Sequence, residues 1–244
     1  MINFSTAYPS PNFNDRTAAI SAIVIHYTDM ENAKAALERL CDPAAEVSCH
    51  YLIDYDGSLY QLVAEDKRAW HAGRSYWQAR ENVNDFSIGI ELVNPGTDFV
   101  LHPFTKKQMS CGAELCAQLI AEYQIHPSCI IGHSDIAPDR KIDPGEYFDW
   151  GYLAERGIGL LPDASQVKLK DNLILCHNGE QGERVLKLQQ DLQRYGYKIK
   201  ITGQFDAELE KVVVAFKRHF YRDNMSVNWD SKAEAILAGL LLSL

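Results

Sequence analysis

The sequence predicts an α/β protein, with a mixed β-sheet flanked by helices and a small C-terminal domain of three helices. Short runs rich in β-branched and aromatic residues are interleaved with helical periodicity in the first part of the chain, which is typical of α/β folds. Beyond it, three successive segments carry apolar residues at helical spacing. The 244 residues, 46 % of them hydrophobic, are enough for one large or two small domains with a buried core.

Several short segments of the first part are predicted to be strands. AIVIHY, CHYLIDY and CIIGH are short runs of apolar, largely β-branched and aromatic residues, and the last of them ends at His133. Asp56-Gly57 predicts a hairpin turn between CHYLIDY and SLYQLV. FSIGIELV is a strongly apolar run bounded by polar residues, so we expect a buried strand there.

Helical periodicity divides the chain. Residues 105–123 are predicted to form a helix with Thr105 as its N-cap. The pattern breaks near Leu161-Pro162-Asp163, and helices are predicted beyond it over residues 182–194, 206–219 and 231–242. We therefore predict a first domain over residues 1–160, a linker over 161–175 and a small helical domain over 176–244.

Charge and cysteine usage exclude some classes of function. The net charge of −9 argues against nucleic acid and anionic membranes as partners, and no apolar run approaches the roughly 20 residues of a membrane span. The six cysteines form no CxxC pair, which favours reduced, mostly buried thiols. The first residues do not resemble a signal peptide. This predicts a cytoplasmic protein, with the periplasm or cell envelope as the alternative if an export signal is missing.

Polar residues at the ends of apolar runs suggest a metal site. His26 ends the run SAIVIH, His133 ends CIIGH, and Asp143 follows shortly after. Two imidazoles and one carboxylate can bind Zn²⁺ and leave a position for water, as in catalytic zinc sites. The residues alone leave the ordinary alternative open, because most histidines are surface or core residues and no HExxH motif is present.

Five segments in order extend this pattern to a known family. IVIHYTD, VSCHYLIDYDGSLYQLV, AWHAG, SIGIELVN and GHSDIAPDRKIDPG resemble the zinc N-acetylmuramoyl-L-alanine amidases of the type-2 amidase and peptidoglycan-recognition superfamily, especially their two-domain members. Further on, VLKLQQDLQRYGYKIKITGQFDAELEKVVVAFKRHF resembles a three-helix peptidoglycan-binding domain. A helical bundle kept only for packing is the alternative for this second segment.

The resemblance implies a fold, a cofactor and a reaction. The fold is that of type-2 amidases, and one Zn²⁺ per chain is bound by His26, His133 and Asp143. The enzyme hydrolyses the amide between N-acetylmuramic acid, or its 1,6-anhydro form, and L-alanine of the stem peptide, in cell-wall turnover or recycling. Its implied partners are peptidoglycan and muropeptides.

Two further residues are predicted to act in catalysis. Glu91 puts a carboxylate in an apolar strand, which is costly without a partner; the resemblance implies a general base, and a solvent-facing strand residue is the alternative. Lys141 precedes Asp143 by two residues, so on an extended segment their side chains face the same way. The resemblance implies that Lys141 stabilises the oxyanion, whereas a lone lysine is usually a surface charge.

A third set is predicted to bind the substrate. His71 in AWHAG, with Trp70 and Gly73 beside it, is a candidate contact, and Asn94 is a candidate hydrogen-bond partner of the stem peptide. His50 belongs to the same set, with a core histidine bonded to a backbone carbonyl as the alternative. The remaining histidines lack a motif and are interpreted as structural or surface residues: His102, His126, His177 and His219.

Two rival functions stay open at this point. One is a recognition module that binds peptidoglycan without cleaving it, as in members of the superfamily that have lost metal ligands. This chain keeps His26, His133 and Asp143, which argues against that class. The other is a zinc peptidase that cuts within the stem peptide.

Overall fold

The structure is a computed structural model that describes residues 2–96, 102–162 and 172–244. Most of the predicted linker therefore lies outside the described residues. The elements are, in chain order, β1 (Phe13–Asp15), β2 (Ala22–Tyr27), α1 (Ala33–Leu40), β3 (Tyr51–Ile53), β4 (Leu59–Gln61), β5 (Lys67–Ala69), β6 (Tyr76–Trp77), β7 (Arg80–Glu81), β8 (Ser87–Leu92), α2 (Lys106–Tyr123), β9 (Ile130–Gly132), α3 (His133–Ile136), α4 (Trp150–Ala154), β10 (Ile174–Cys176), α5 (Glu183–Tyr195), α6 (Ala207–Phe220), β11 (Trp229–Asp230) and α7 (Ser231–Leu241).

A five-stranded sheet forms the centre of the molecule, with the strand order β4-β3-β8-β2-β9. Strand β2 runs parallel to both β8 and β9, and β3 runs parallel to β8. Only β4, joined to β3 by a hairpin, is antiparallel. The predicted mixed sheet flanked by helices is confirmed, and the apolar runs of β2 and β8 fit strands that are covered on both faces.

Local signals in the sequence account for most of the boundaries. The β3–β4 hairpin turns at Gly57, whose φ of 85° suits a residue without a side chain. Helix α2 starts with a capping box, in which Thr105 Oγ1 accepts from the Gln108 backbone N–H at 3.1 Å and Gln108 Oε1 accepts from the Thr105 N–H at 3.0 Å. One boundary differs from the prediction: β9 ends at Gly132, and His133 opens the single turn α3 instead of ending the strand.

The two faces of the sheet pack differently because side chains alternate along each strand. Ile23, Ile25 and Tyr27 of β2 lie in one core with alternate residues of β8 and the apolar side of α2. The opposite face carries Ala22 and Val24 near the start of β2, and there they pack in a second core. His26 continues this second face at the carboxyl end of the strand. The active-site candidates and the second core therefore share one face of the sheet.

The C-terminal region forms three helices, as predicted, and they pack directly on this second face. Their buried apolar residues, including Leu192 and Phe216, lie in the same core as Val24, Trp77 and Ile136 of the first part of the chain. The Trp77 ring makes edge contacts with Tyr195 and Tyr197 at centroid distances of 5.7 and 5.2 Å. The helical unit thus contributes to a core shared with the sheet.

The structure bears on two further predictions, one about the cysteines and one about membrane-spanning segments. All six cysteines are free thiols, three of them buried and three half-buried. Within the described ranges, no helix combines the length and the apolar character that crossing a membrane requires.

Candidate active site

The parallel strands bring the predicted metal ligands to one edge of the sheet. Parallel strands point their carboxyl ends the same way, so residues at those ends meet. His26 is the fifth residue of β2, and its register partner on β8 is Glu91. His133 directly follows β9, the other neighbour of β2. Asp143 comes from the loop after α3, and its backbone carbonyl accepts a hydrogen bond from the Ser134 N–H at 2.9 Å.

Three side-chain atoms of these residues converge. Asp143 Oδ2 lies 2.9 Å from His26 Nδ1 and 3.0 Å from His133 Nδ1, and the two Nδ1 atoms are 3.0 Å apart. All three residues are buried. Burial raises the pKa of Asp143, whereas positive charge on the imidazoles of His133 and His26 would outweigh burial and hold that pKa well below its usual range. Burial, reinforced by His133, lowers the pKa of His26 to about 4.

The outer hydrogen bonds of the imidazoles decide which nitrogen atoms carry protons. His133 Nε2 lies 3.2 Å from the Ala72 carbonyl, which can only accept, and 3.4 Å from Arg140 Nη2, which can only donate. The shorter contact puts the hydrogen on Nε2 and the lone pair on Nδ1. For His26 the assignment follows from a series of hydrogen bonds. The Ser87 hydroxyl donates to the Val83 carbonyl at 2.7 Å, so Ser87 Oγ accepts from His71 Nε2 at 3.2 Å. His71 Nδ1 then accepts from His26 Nε2 at 3.0 Å.

This assignment leaves three acceptors facing one another. Both Nδ1 lone pairs and the Asp143 carboxylate point into one small space, with no hydrogen atom between them in neutral imidazoles. Acceptors at such distances repel unless a cation lies among them. Two nitrogen ligands, each oriented by an outer hydrogen bond, and one carboxylate ligand suit zinc. Among the described residues, His26, His133 and Asp143 are the group that could hold a metal ion.

Glu91 lies next to this group with part of its carboxylate unpaired. Its Oε2 atom is inaccessible to solvent and has no hydrogen-bond partner. Burial raises the pKa of Glu91 well above its usual range, and the nearby Asp143 raises it further, whereas Lys141 acts in the opposite direction. A buried carboxylate oxygen without a donor is destabilising, which makes Glu91 a candidate for proton transfer to or from a bound molecule.

A cavity of about 610 Å³ opens over these residues. It is lined by all three predicted ligands and both predicted catalytic residues, and by Trp70 and His71 of the predicted substrate set. Three cationic side chains line it, Arg39, Arg140 and Lys141, together with apolar side chains such as Met30 and Ile142. The site combines a metal-ligand set, an acid–base candidate and positive charge in one concave space.

The other predicted substrate residues do not line this cavity. His50 is fully buried, and its Nδ1 accepts from the Gly89 backbone N–H at 2.9 Å. Burial and the Arg16 charge lower the pKa of His50 to about 3. Asn94 is also fully buried and donates to the His102 carbonyl at 2.9 Å. Gly73 is exposed beside the Arg140 guanidinium.

His71 lines the cavity but is held from behind. Both of its ring nitrogens are bonded to His26 and Ser87, and burial lowers its pKa well below the usual range. Its ring packs on Gly89 so closely that a Cβ atom there would lie 2.4 Å from the ring. The geometry therefore favours a role for His71 in orienting His26 over a role in contacting the substrate.

Sequence reasoning missed several supporting residues. Asn84 Oδ1 accepts from the backbone N–H groups of His71 and Ala72 at 3.1 and 2.7 Å, and Ser87 orients His71. Arg140 donates to the Ala72 carbonyl at 2.5 Å. Asn84 lies three residues before SIGIELVN, which begins at Ser87, and Arg140 lies inside GHSDIAPDRKIDPG. Their positions in or near the family segments could have identified these residues, but their contacts could not be predicted because they depend on the fold.

Comparisons with known proteins identify the family to which the chain is similar. Residues 16–146 match the family model described as N-acetylmuramoyl-L-alanine amidase, and residues 181–221 match a putative peptidoglycan binding domain. The chain is 37 % identical to the N-acetylmuramoyl-L-alanine amidase AmiD of Escherichia coli (strain K12), over 91 % of this chain and 82 % of AmiD. It is 52 % identical to the 1,6-anhydro-N-acetylmuramyl-L-alanine amidase AmpD of Salmonella typhimurium (strain SL1344), over 43 % of this chain and 54 % of AmpD.

Solved structures show the same fold. AmiD from E. coli, in complex with the substrate anhydro-N-acetylmuramic acid-L-Ala-D-gamma-Glu-L-Lys, is similar with a TM-score of 0.79 and 35 % identity, covering 94 % of this chain and 92 % of that one. AmpDh3 from Pseudomonas aeruginosa has a TM-score of 0.76 and 30 % identity, covering 98 % and 97 %. With the family match over residues 16–146, these findings show that the chain belongs to the N-acetylmuramoyl-L-alanine amidase family and is an amidase.

Proposed function

We propose that this amidase uses one Zn²⁺ per chain, held by His26, His133 and Asp143, to cleave the amide between the lactyl group of N-acetylmuramic acid, or its 1,6-anhydro form, and L-alanine. The observation that carries the proposal is the convergence of three acceptor atoms at 2.9–3.0 Å beside the unpaired Glu91 carboxylate. The relatives named above are bacterial and carry amidase names, which supports a role in cell-wall turnover or recycling.

The residues divide the work of hydrolysis. His26, His133 and Asp143 would hold the zinc ion, which would supply Lewis acidity and lower the pKa of water to about 7. Glu91 accepts a proton from the attacking water, and burial raises its pKa in the direction that favours taking up a proton. Glu91 then delivers that proton to the departing amine of L-alanine as the C–N bond breaks. Lys141, which lines the same cavity, stabilises the oxyanion with its ammonium group.

Arg39 is proposed to bind the stem peptide. The peptide of the AmiD complex contains a gamma-linked glutamate, and a γ-linked residue keeps its α-carboxylate free. Arg39 is exposed on α1 and lines the cavity. Of the other lining cations, Arg140 is bonded to backbone carbonyls, and Lys141 is assigned to the oxyanion. Arg39 is thus the cation most available for a substrate carboxylate.

The predicted division of the chain is retained as a proposal: a catalytic domain over residues 1–160, a linker over 161–175, and a helical domain over 176–244 that binds peptidoglycan. The family match over 181–221 supports binding, and packing against the sheet adds a structural role for the same helices. Retention of full-length Glu91→Gln on purified sacculi, compared with an unrelated control protein, tests binding without digestion. If Glu91→Gln and the control protein were retained equally, the proposed peptidoglycan binding by the helical domain would be wrong.

Mass spectrometry of reaction products tests the cleaved bond. Soluble anhydro-muropeptides and intact sacculi are digested in parallel with the full chain. The proposal predicts an intact stem peptide with a free L-alanine amine, and a sugar with a free lactyl carboxylate. A shortened stem peptide still attached to the sugar would instead identify a peptidase, and no product from either substrate would favour a recognition module.

A further inference from the structure

The carboxylate of Asp135 joins the helical C-terminal unit to the candidate active site. Asp135 is 1 % exposed and lies in α3, two residues after His133. It accepts three hydrogen bonds: from the Gly132 N–H at 2.8 Å, from the Tyr197 hydroxyl at 2.7 Å and from His219 Nδ1 at 2.8 Å. Two of the three donors come from the C-terminal unit. One carboxylate therefore connects regions that are distant in sequence.

The His219 ring is fixed in its orientation. It is stacked between Trp150 and Phe220, with ring centroids 3.7 and 3.8 Å away and interplanar angles of 21° and 8°. Such a sandwich restricts rotation of the imidazole, so Nδ1 stays directed at Asp135. Trp150 belongs to the first domain and Phe220 to the second, so the stack also crosses between them.

Helix α3 transmits this anchoring to two proposed ligands. His133 is its first residue, and the Ser134 N–H donates to the Asp143 carbonyl at 2.9 Å. Gly132 at its start is packed so tightly that a Cβ atom would lie 2.8 Å from Pro144, the residue after Asp143. A shift of α3 would therefore move His133 and the Asp143 segment together.

We propose that Tyr197 and His219 are positioning residues of the metal centre: by holding Asp135, the C-terminal unit fixes α3 and with it His133 and Asp143. This inference rests on the proposed zinc site and adds a function for the helical unit besides peptidoglycan binding. Removing the Tyr197 hydroxyl leaves the buried Oδ1 atom of Asp135 without a donor, and removing His219 leaves Oδ2 with only the Gly132 N–H. An unpaired buried carboxylate oxygen is costly enough to displace the helix that carries it. Neither Tyr197 nor His219 lines the cavity.

Zinc affinity of the metal-free, full-length protein tests this role without any turnover. Tyr197→Phe removes only a hydroxyl and keeps the ring packing, and Tyr197→Phe combined with His219→Leu removes both donors. We expect the double variant to bind zinc about 10–100-fold more weakly, the usual effect of losing outer hydrogen bonds of a metal site. Tyr197→Phe should show a smaller loss in the same direction. His219→Asn retains a donor near the Nδ1 position, so it should bind zinc more tightly than a variant with Leu at position 219.

A matched control separates positioning from general destabilisation. Leu192→Ala removes a fully buried side chain of α5 in the same unit, and none of the three hydrogen bonds to Asp135 comes from Leu192. It should lower the melting temperature but leave zinc affinity within about threefold of wild type, a much smaller effect than the loss of outer hydrogen bonds.

Two results overturn the proposal. One is a loss of zinc affinity in Leu192→Ala as large as that in the double variant. The other is wild-type zinc affinity in Tyr197→Phe and in the folded double variant. If the double variant does not fold, Tyr197→Phe decides. If the wild-type chain itself binds no zinc, the proposed metal site fails, and this inference falls with it.

Discussion

His26 and Glu91 are register partners on the adjacent parallel strands β2 and β8. The backbone ladder therefore fixes a proposed metal ligand and a proposed general base side by side, on the same face of the sheet. The relative position of the two side chains therefore depends mainly on the backbone, and in this way rigid strands pre-organise a site. His133 joins them because β9 is the other parallel neighbour of β2.

Replacing Glu91 with Gln should separate metal binding from catalysis. The substitution keeps the size of the side chain and removes its ability to take up a proton. We expect zinc to be retained and kcat to fall by roughly 10²–10⁴, the range for one general acid–base group. The melting temperature should stay equal or rise, because an unpaired buried carboxylate is removed. Glu38→Gln, an exposed change on α1, is the control; a near wild-type kcat for Glu91→Gln would exclude it from the mechanism.

Lys141→Ala should act on the transition state. Loss of one oxyanion donor typically lowers kcat by about 10²–10³, and KM should change little if the ammonium contacts only the developing charge. Steady-state kinetics on a soluble muropeptide measure both constants. A raised KM with unchanged kcat would instead assign Lys141 to ground-state binding of the substrate.

Arg39→Ala should weaken binding of anionic stem peptides. A partly solvated charge pair contributes roughly 1 kcal/mol, so we expect KM to rise about fivefold with kcat unchanged. Lys34→Ala, another exposed cation of α1 that does not line the cavity, should leave KM unchanged. Amidation of the glutamate α-carboxylate in the substrate should abolish the difference between wild type and Arg39→Ala. A difference that persists with the amidated substrate would contradict the assignment.

Gly89→Ala should damage the metal site from behind. A Cβ at this position would lie 2.4 Å from the His71 ring, which orients His26. We expect lower stability and weaker zinc binding, measured by thermal melting and by chelator competition. Gly112→Ala is the matched control, because its new Cβ meets only Ile53 at 3.7 Å. Ala in a helix should be neutral or stabilise the protein by about 0.5–1 kcal/mol. Normal zinc affinity in folded Gly89→Ala would argue against the role of His71.

The elements that could be predicted are those with strong periodicity or local caps. The strands around His26 and Glu91 are apolar runs, and α2 has its own capping box at Thr105. The three C-terminal helices carry a regular apolar stripe. Helix α1 buries Ala33, Ala36, Leu37 and Leu40 at helical spacing, so its pattern was readable as well. The short helices α3 and α4 have little periodicity of their own, and α3 is a single turn held by tertiary contacts. Its limits follow from the fold more than from propensity.

The candidate site was predictable where a motif places its residues, and unpredictable where distant segments meet. The ligands and Glu91 lie in recognisable segments and line one cavity. His50, Asn94 and Gly73 lie in the same segments, but burial or backbone position keeps them out of that lining. The Asp135–His219 pair joins residues 84 positions apart, and no local pattern encodes such a contact. The same holds for Ser87, whose role depends on the ring of His71 lying over it.

Zinc binding by the metal-free chain, measured by equilibrium dialysis, tests the central claim most directly. The account predicts one zinc per chain in the wild type and in His177→Ala, which changes an exposed histidine away from the cavity. It predicts loss of that zinc in His133→Ala, with the fold retained by circular dichroism. Stoichiometric zinc in His133→Ala, or none in the wild type, would contradict the assignment of His26, His133 and Asp143 as the metal ligands.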